Sequence, residues 1–390
     1  MKRLVWIVAA SSWIATAPAR ADVLHDADEA SLSIGGYAQP QYRLRQDCEP
    51  GDPSVQCQQS FVGAFDTTDE NGFSLKRTRL TIAGHQPTDL GVRVGFELEA
   101  EFTPEFQLKD AFVSAAGELP NRGLWRLDFG QVKVPISRQT LVSDAELQMV
   151  EKAQLTSLAP DRQLGVRGTV NPPFLPMIEL AGSVFNGDGA NQITNIDERY
   201  LWAGRLAIRP VGYTARLTEG AFARDQISVA ASFGRNRQKE GSIETVLYYL
   251  GFDAFVSWNG ISGTAEYLLV RTDFKEDVDP GSDRDFDANG LNVQLGYLLP
   301  VPGAMYRRFE VAGRFEEIDR NDTVPIQGPG DINQSLRTYT AGVAYYHREH
   351  NLKAQLALSH TQEVEDVNFD RNDSTYDNDT LLVQVTYRLE

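Results

Sequence analysis

Residues Asp89–Glu101 read DLGVRVGFELEAE. Val92, Val94, Phe96, Leu98 and Ala100 fall on one face, and Arg93, Gly95, Glu97, Glu99 and Glu101 on the other. Side chains of a strand point to opposite faces with period two, so this is a strand lying between an apolar and a wet medium. In a soluble sandwich the apolar face meets a protein core. In a transmembrane barrel it meets lipid, and the charged face lines a lumen.

The same alternation recurs along the chain. Thr78, Leu80 and Ile82 oppose Arg77, Arg79 and Thr81; Trp125, Leu127 and Phe129 oppose Arg126 and Asp128; Leu164, Val166 and Val170 oppose Arg167 and Thr169; Val383, Val385, Tyr387 and Leu389 oppose Gln384, Thr386 and Arg388. Strand-like runs cover 31–45, 72–84, 89–101, 106–116, 123–132, 163–171, 177–186, 200–209, 227–236, 243–257, 260–273, 287–299, 304–316, 335–346, 351–363 and 379–389. Most are far longer than the roughly five or six residues of a globular strand. They suit the ~9–11 residues of a tilted membrane-crossing strand. Short links (85–89, 117–123, 171–177, 257–260, 299–304, 347–351) alternate with long ones (46–71, 131–162, 187–199, 273–287, 316–334, 363–379), as they do when one rim faces the periplasm and the other the outside. Pro210–Gln226 is too long for its rim and Thr103–Glu105 too short. Only a closed barrel leaves no unpaired edge in hydrocarbon. The pattern therefore predicts an all-β fold, a sixteen-stranded antiparallel transmembrane β-barrel forming one domain over 22–390, with the charged face of 89–101 inside a pore.

The chain opens MKRLVWIVAASSWIATAPARA: Lys2 and Arg3, an apolar run from Leu4 to Ala15, then small residues at Ala19 and Ala21. This is the plan of a secretory signal peptide over 1–21, with an apolar run too short to span a bilayer. Its removal takes Lys2, Arg3 and Arg20 and no acidic residue, so the −17 of the full chain becomes −20. That balance argues against nucleic acid as a partner. Cys48 and Cys57, in a polar Gly/Pro-containing segment of an exported chain, read as a loop-closing disulfide. No metal or other cofactor is expected. The nearest histidines in sequence are His25 and His85, and DVDPGSDRDFD (277–287) lacks the ligand spacing of a calcium loop.

FSLKRTRLTIAG (73–84), LKDAFV (108–113), DFGQVKVPIS (128–137), LAPDRQLGV (158–166) and SVFNGDG (183–189), in this order, resemble the phosphate-selective porin O and P family. Val132 and Ile136 stand where that family tends to carry aromatics. The resemblance implies an outer-membrane porin, a homotrimer of independent pores, in which a long loop folds inward and basic residues pass anions, phosphate among them. Its other partners would be outer-membrane lipid and lipopolysaccharide.

The inward-loop candidate is 131–162, the one long link with helical composition, around SDAELQMVEKAQL, where Ser143 and Glu146 have the spacing of a helix start. Lys133, Arg138, Lys152 and Arg162 are its basic residues, against Asp144, Glu146, Glu151 and Asp161. The basic set reads as an anion filter, or equally as local ion pairs that hold the loop to the wall. On the wall, Arg77, Arg79, Arg93, Arg126 and Arg167 share lumen faces with Glu97, Glu99 and Asp128, which favours a general pore with mild anion preference. Acid is concentrated in 46–71, 273–287 and 363–379, read as a solvated outer rim in preference to divalent-cation contacts with lipopolysaccharide.

Two other classes compete. A barrel hydrolase needs a nucleophile beside a His base, yet His85, His347 and His350 fall in expected turns and His360 on a lipid-side face near the outer rim. An exported soluble β-rich binding protein has no reason to keep the long–short rhythm. The expected function is passive diffusion of small hydrophilic solutes and ions, without catalysis.

Overall fold

The computed structural model describes residues 30–45, 71–211, 217–220, 225–240, 243–275, 285–302, 308–320, 335–364 and 377–389. The leader over 1–21, Cys48, Cys57 and most of the acidic tracts lie outside the described residues.

Sixteen strands run β1 Ser31–Arg45, β2 Gly72–Pro87, β3 Val92–Glu101, β4 Gln107–Leu119, β5 Gly123–Lys133, β6 Arg162–Asn171, β7 Ile178–Phe185 and β8 Leu201–Val211. They continue β9 Gln226–Glu240, β10 Ile243–Trp258, β11 Ile261–Lys275, β12 Phe286–Leu299, β13 Phe309–Asp319, β14 Leu336–Arg348, β15 Leu352–Glu363 and β16 Asp377–Leu389. Each pairs antiparallel with the next, and β1 closes on β16 from Gly36 opposite Leu389 to Arg45 opposite Thr380. Both chain ends of the barrel lie at one rim, the inner or periplasmic one.

Burial is inverted relative to a soluble protein. Phe129 is 62% exposed on the outer wall while its neighbour Asp128, turned into the lumen, is 1% exposed. Val94, Phe96 and Leu98 point outward, and Glu97, Glu99 and Glu101 are buried inside. Period two thus delivers an apolar belt to lipid and a polar lining to the pore. Trp258, Tyr297 and Tyr387, with Phe309 packed on Tyr345 at 5.1 Å, stand outward near the inner rim, where amphipathic rings bridge lipid and water.

Several boundaries differ from the sequence reading. β9 runs on to Glu240, past the expected end at 236, and β10 begins at Ile243. β13 begins at Phe309, not 304, and His85 and His347 lie within β2 and β14, not in turns. The link after β5 is 134–161: Lys133 and Arg162 are strand residues, directly opposite each other at the end of the β5–β6 ladder.

Leu358 is exposed on the outer face near the middle of β15. A Leu358→Arg substitution should cost ~2–4 kcal/mol of folding stability in bilayers if that face is in hydrocarbon. Unchanged unfolding in urea would contradict the facing.

Candidate functional site: the loop inside the barrel

Residues 134–161 leave the outer rim and fold into the lumen, where Val134, Ile136, Val142, Ala145, Leu147, Met149, Val150, Ala153 and Leu155 are all buried. The segment is not the helix that its composition suggests. It holds one helical turn, Arg138–Leu141, and two 3-10 turns, Asp144–Glu146 and Gln154–Ser157. Ser137, not Ser143, supplies the side-chain cap, accepting from the Thr140 N–H. Glu266 of β11 completes that helix start by accepting from the Arg138 and Gln139 N–H groups at 2.8 and 3.0 Å.

One side of the loop builds a small apolar core within the barrel. Val132, Val134, Ile136, Ala153 and Leu155 pack with Leu201, Ala203, Tyr249, Leu268, Val270 and Ala288, all on the lumen side of β8–β12. Val132 and Ile136, the aliphatic replacements noted in the sequence, serve this core. The wall is cut back to admit the loop. A Cβ on Gly290 would lie 2.7 Å from the Leu155 Cβ, and one on Gly296 would collide with the Gln148 amide.

Polar contacts fasten the rest. Ile136 O accepts from Ser232 of β9 at 2.6 Å. Gln148 Nε2 donates to Ser262 and Glu310 at 2.7 and 2.6 Å. Lys353 of β15 donates to Leu147 O at 2.6 Å, and Arg388 of β16 pairs with Glu146 at 2.8 Å. Gln154 N–H donates to Glu316 at 2.6 Å, and its side chain to Thr338 at 2.9 Å. Ser262, Glu310, Lys353 and Arg388 lie within two residues of the inner-rim ends of their strands, so the loop tip descends almost through the barrel.

Asp144 is the centre of the charge arrangement. Its carboxylate lies 2.8 Å from Arg79, 3.6 Å from Arg77 and 3.5 Å from Lys152. Burial alone would raise its pKa, but the Lys152, Arg79, Arg77 and Lys133 charges outweigh this and hold the carboxyl well below the usual range. Arg79 also pairs with Glu99 and Glu101, and Arg77 with Glu151.

The other expected site residues are divided between loop and wall. Lys133 donates to Leu141 O and Val142 O and is buried. Arg138 lies behind the loop, its guanidinium 4.2 Å from the centre of the Phe255 ring. Arg162 joins Asp110, Glu99 and Asp161, tying β6 to β4 and β3. Arg126 and Arg167 each pair with Asp128 at 2.7 Å. Arg93 sits near the inner rim opposite Pro87 and Ala116, away from this cluster. Sequence reading missed Glu266, Gln148, Glu310, Lys353 and Arg388. A signal for the internal core was present in TVLYYLGF (245–252), where both strand faces are apolar.

The sequence profile described as phosphate-selective porin O and P matches residues 56–389. No curated protein matches the chain in sequence. Among solved structures, the outer-membrane channel DcaP of Acinetobacter baumannii is similar at 12% identity, covering 93% of this chain and 99% of that one, with a TM-score of 0.61. OmpT of Vibrio cholerae is similar at 9% identity, covering 93% and 99%, with a TM-score of 0.60. Its trimer form gives 10% identity, 93% and 100% coverage and a TM-score of 0.59.

A depressed carboxyl pKa stabilises the native contact above the ordinary value and loses that contribution as pH falls through the folded-state value. The Asp144 tether should therefore survive acidification to about pH 4, the usual range for Asp. Hydrogen-exchange protection of the amides between 142 and 146, corrected for intrinsic rate, should stay level from pH 7 to about pH 4 and fall only below that. Protection that stays level below about pH 4 as well would show an ordinary, weakly held carboxylate.

Proposed function

The chain belongs to the phosphate-selective porin O and P family, outer-membrane porins and not enzymes, and from that premise we propose a passive diffusion pore for small hydrophilic solutes with a weak anion preference. The observation that carries this reading is the pairing of the lumen arginines. A site that selects one anion must aim several cations at an open position. Here Arg77, Arg79 and Lys152 converge on Asp144, a counter-ion built into the loop itself.

A small cationic excess remains on β5 and β6. Arg126 and Arg167 share the single carboxylate of Asp128, which is buried behind them, while their side chains are 18% and 21% exposed. Those guanidiniums face water, so a passing ion meets two positive groups with one negative charge set back in the wall. The loop is fastened mainly to β1, β2 and β8–β16, with Lys133 alone holding it from β5, and this distribution supports a passage along β3–β6. Lys152 and Glu151, at 16% and 23% side-chain exposure, border it from the loop. Screening over ~8–10 Å in ordinary salt keeps the preference modest. The reading includes a homotrimer, supported by the trimer form of Vibrio cholerae OmpT, and an apolar wall in contact with outer-membrane lipid and lipopolysaccharide.

Under a tenfold potassium chloride gradient across a planar bilayer, the reversal potential should have the anion sign and fall far short of the ~59 mV of perfect selectivity. Substituting phosphate for chloride should not raise the current. In an Arg126→Gln/Arg167→Gln double variant the potential should move to zero or to the cation sign. An unchanged potential would place the preference elsewhere.

A further inference from the structure

We infer that Glu219 is a positioning residue of the pore, a brace that rises from the inner rim and holds the tip of the constriction loop. The link between β8 and β9 lies at the inner rim, where the fully described links are short, and its length is the one excess on that rim in the sequence. Thr218, Glu219 and Gly220 of this link are inside the barrel, with Glu219 only 1% exposed.

Its carboxylate accepts from three groups: the side-chain amide of Gln139, the backbone N–H of Gln148 at 3.1 Å and the side-chain amide of Gln294 at 3.4 Å. Beside it, Thr218 O accepts from Arg138 at 3.0 Å. Gly220, with φ +75, brings its backbone against Glu310; a Cβ there would stand 3.4 Å from that carboxylate. One side chain thus ties two loop positions nine residues apart to each other and to β12. A buried carboxylate is tolerated only when such donors surround it, and the donors in turn need an acceptor once water is excluded. Glu219 therefore fixes how far the loop tip intrudes, and with it the width of the passage. This concerns the steadiness of conduction and rests on the chain being a pore. It is independent of ion preference, so each can fail alone.

The test is single-channel recording in planar bilayers of full-length Glu219→Ala and Glu219→Gln. Folding is checked by heat-modifiable electrophoretic mobility. Glu219→Ala should give a severalfold rise in open-channel current noise with the reversal potential unchanged. Glu219→Gln keeps one acceptor oxygen and loses the other, and should give a smaller rise. A Glu219→Ala channel as quiet as the native one, or a Glu219→Gln channel as quiet as the native one, would overturn the assignment. If Glu219→Ala does not fold, the noise of Glu219→Gln decides.

Discussion

A peptide backbone crossing hydrocarbon has no water to satisfy its N–H and C=O groups, so every one of them must be paired within the protein. In this chain the pairing of β1 with β16 meets that demand, because it removes the two edges that sixteen strands would otherwise expose. Once the sheet is closed, period two sends alternate side chains outward to lipid and inward to a lumen. The apolar residues that a soluble protein would bury are on the outside, and the charged ones are enclosed. The enclosed charges must then find partners, since an isolated buried charge is costly. The arginine–carboxylate pairs of the lumen follow from closure as much as from any need to handle ions.

The interior is organised by the 134–161 loop in two different ways. Against β8–β12 it behaves as a piece of a soluble protein, packing Ile136, Leu155 and their neighbours on Tyr249, Leu268 and Val270. Against β1 and β2 it brings Asp144 and Glu151 to Arg77 and Arg79. The apolar side gives the loop a fixed seat, and the charged side neutralises arginines that would otherwise face the passage. Position and electrostatics of the constriction are therefore set together, and a substitution at Asp144 would disturb both.

The architecture was legible because its signal is redundant: sixteen alternating runs and a long–short rhythm of links all point the same way. The facing of Val94, Phe96 and Leu98 could be read directly. The partners of the loop could not. Whether Arg138 meets an ion or stacks on Phe255 depends on which wall the loop touches, and no local pattern encodes a contact between residues more than a hundred positions apart. Gln148 carries no charge and no motif, yet it joins Ser262, Glu310 and Gln294. Lumen glycines such as Gly290 and Gly296 admit the loop closely, and only with the loop in place is it clear what approaches them. Ser143 was read as a cap because its spacing to Glu146 is right; Ser137 has that role because Glu266 anchors the turn one position later.

The central claim is that the loop seals the β8–β16 side of the lumen and leaves the passage along β3–β6. It is tested most directly by single cysteines placed on the two sides, Arg167→Cys on β6 and Ser232→Cys on β9, exposed to a negatively charged thiol reagent during single-channel recording, with Cys48 and Cys57 replaced by serine. The account predicts a stepwise fall in current on modification at position 167 and no change at position 232. A step at 232, or none at 167, would put the passage on the other side of the loop.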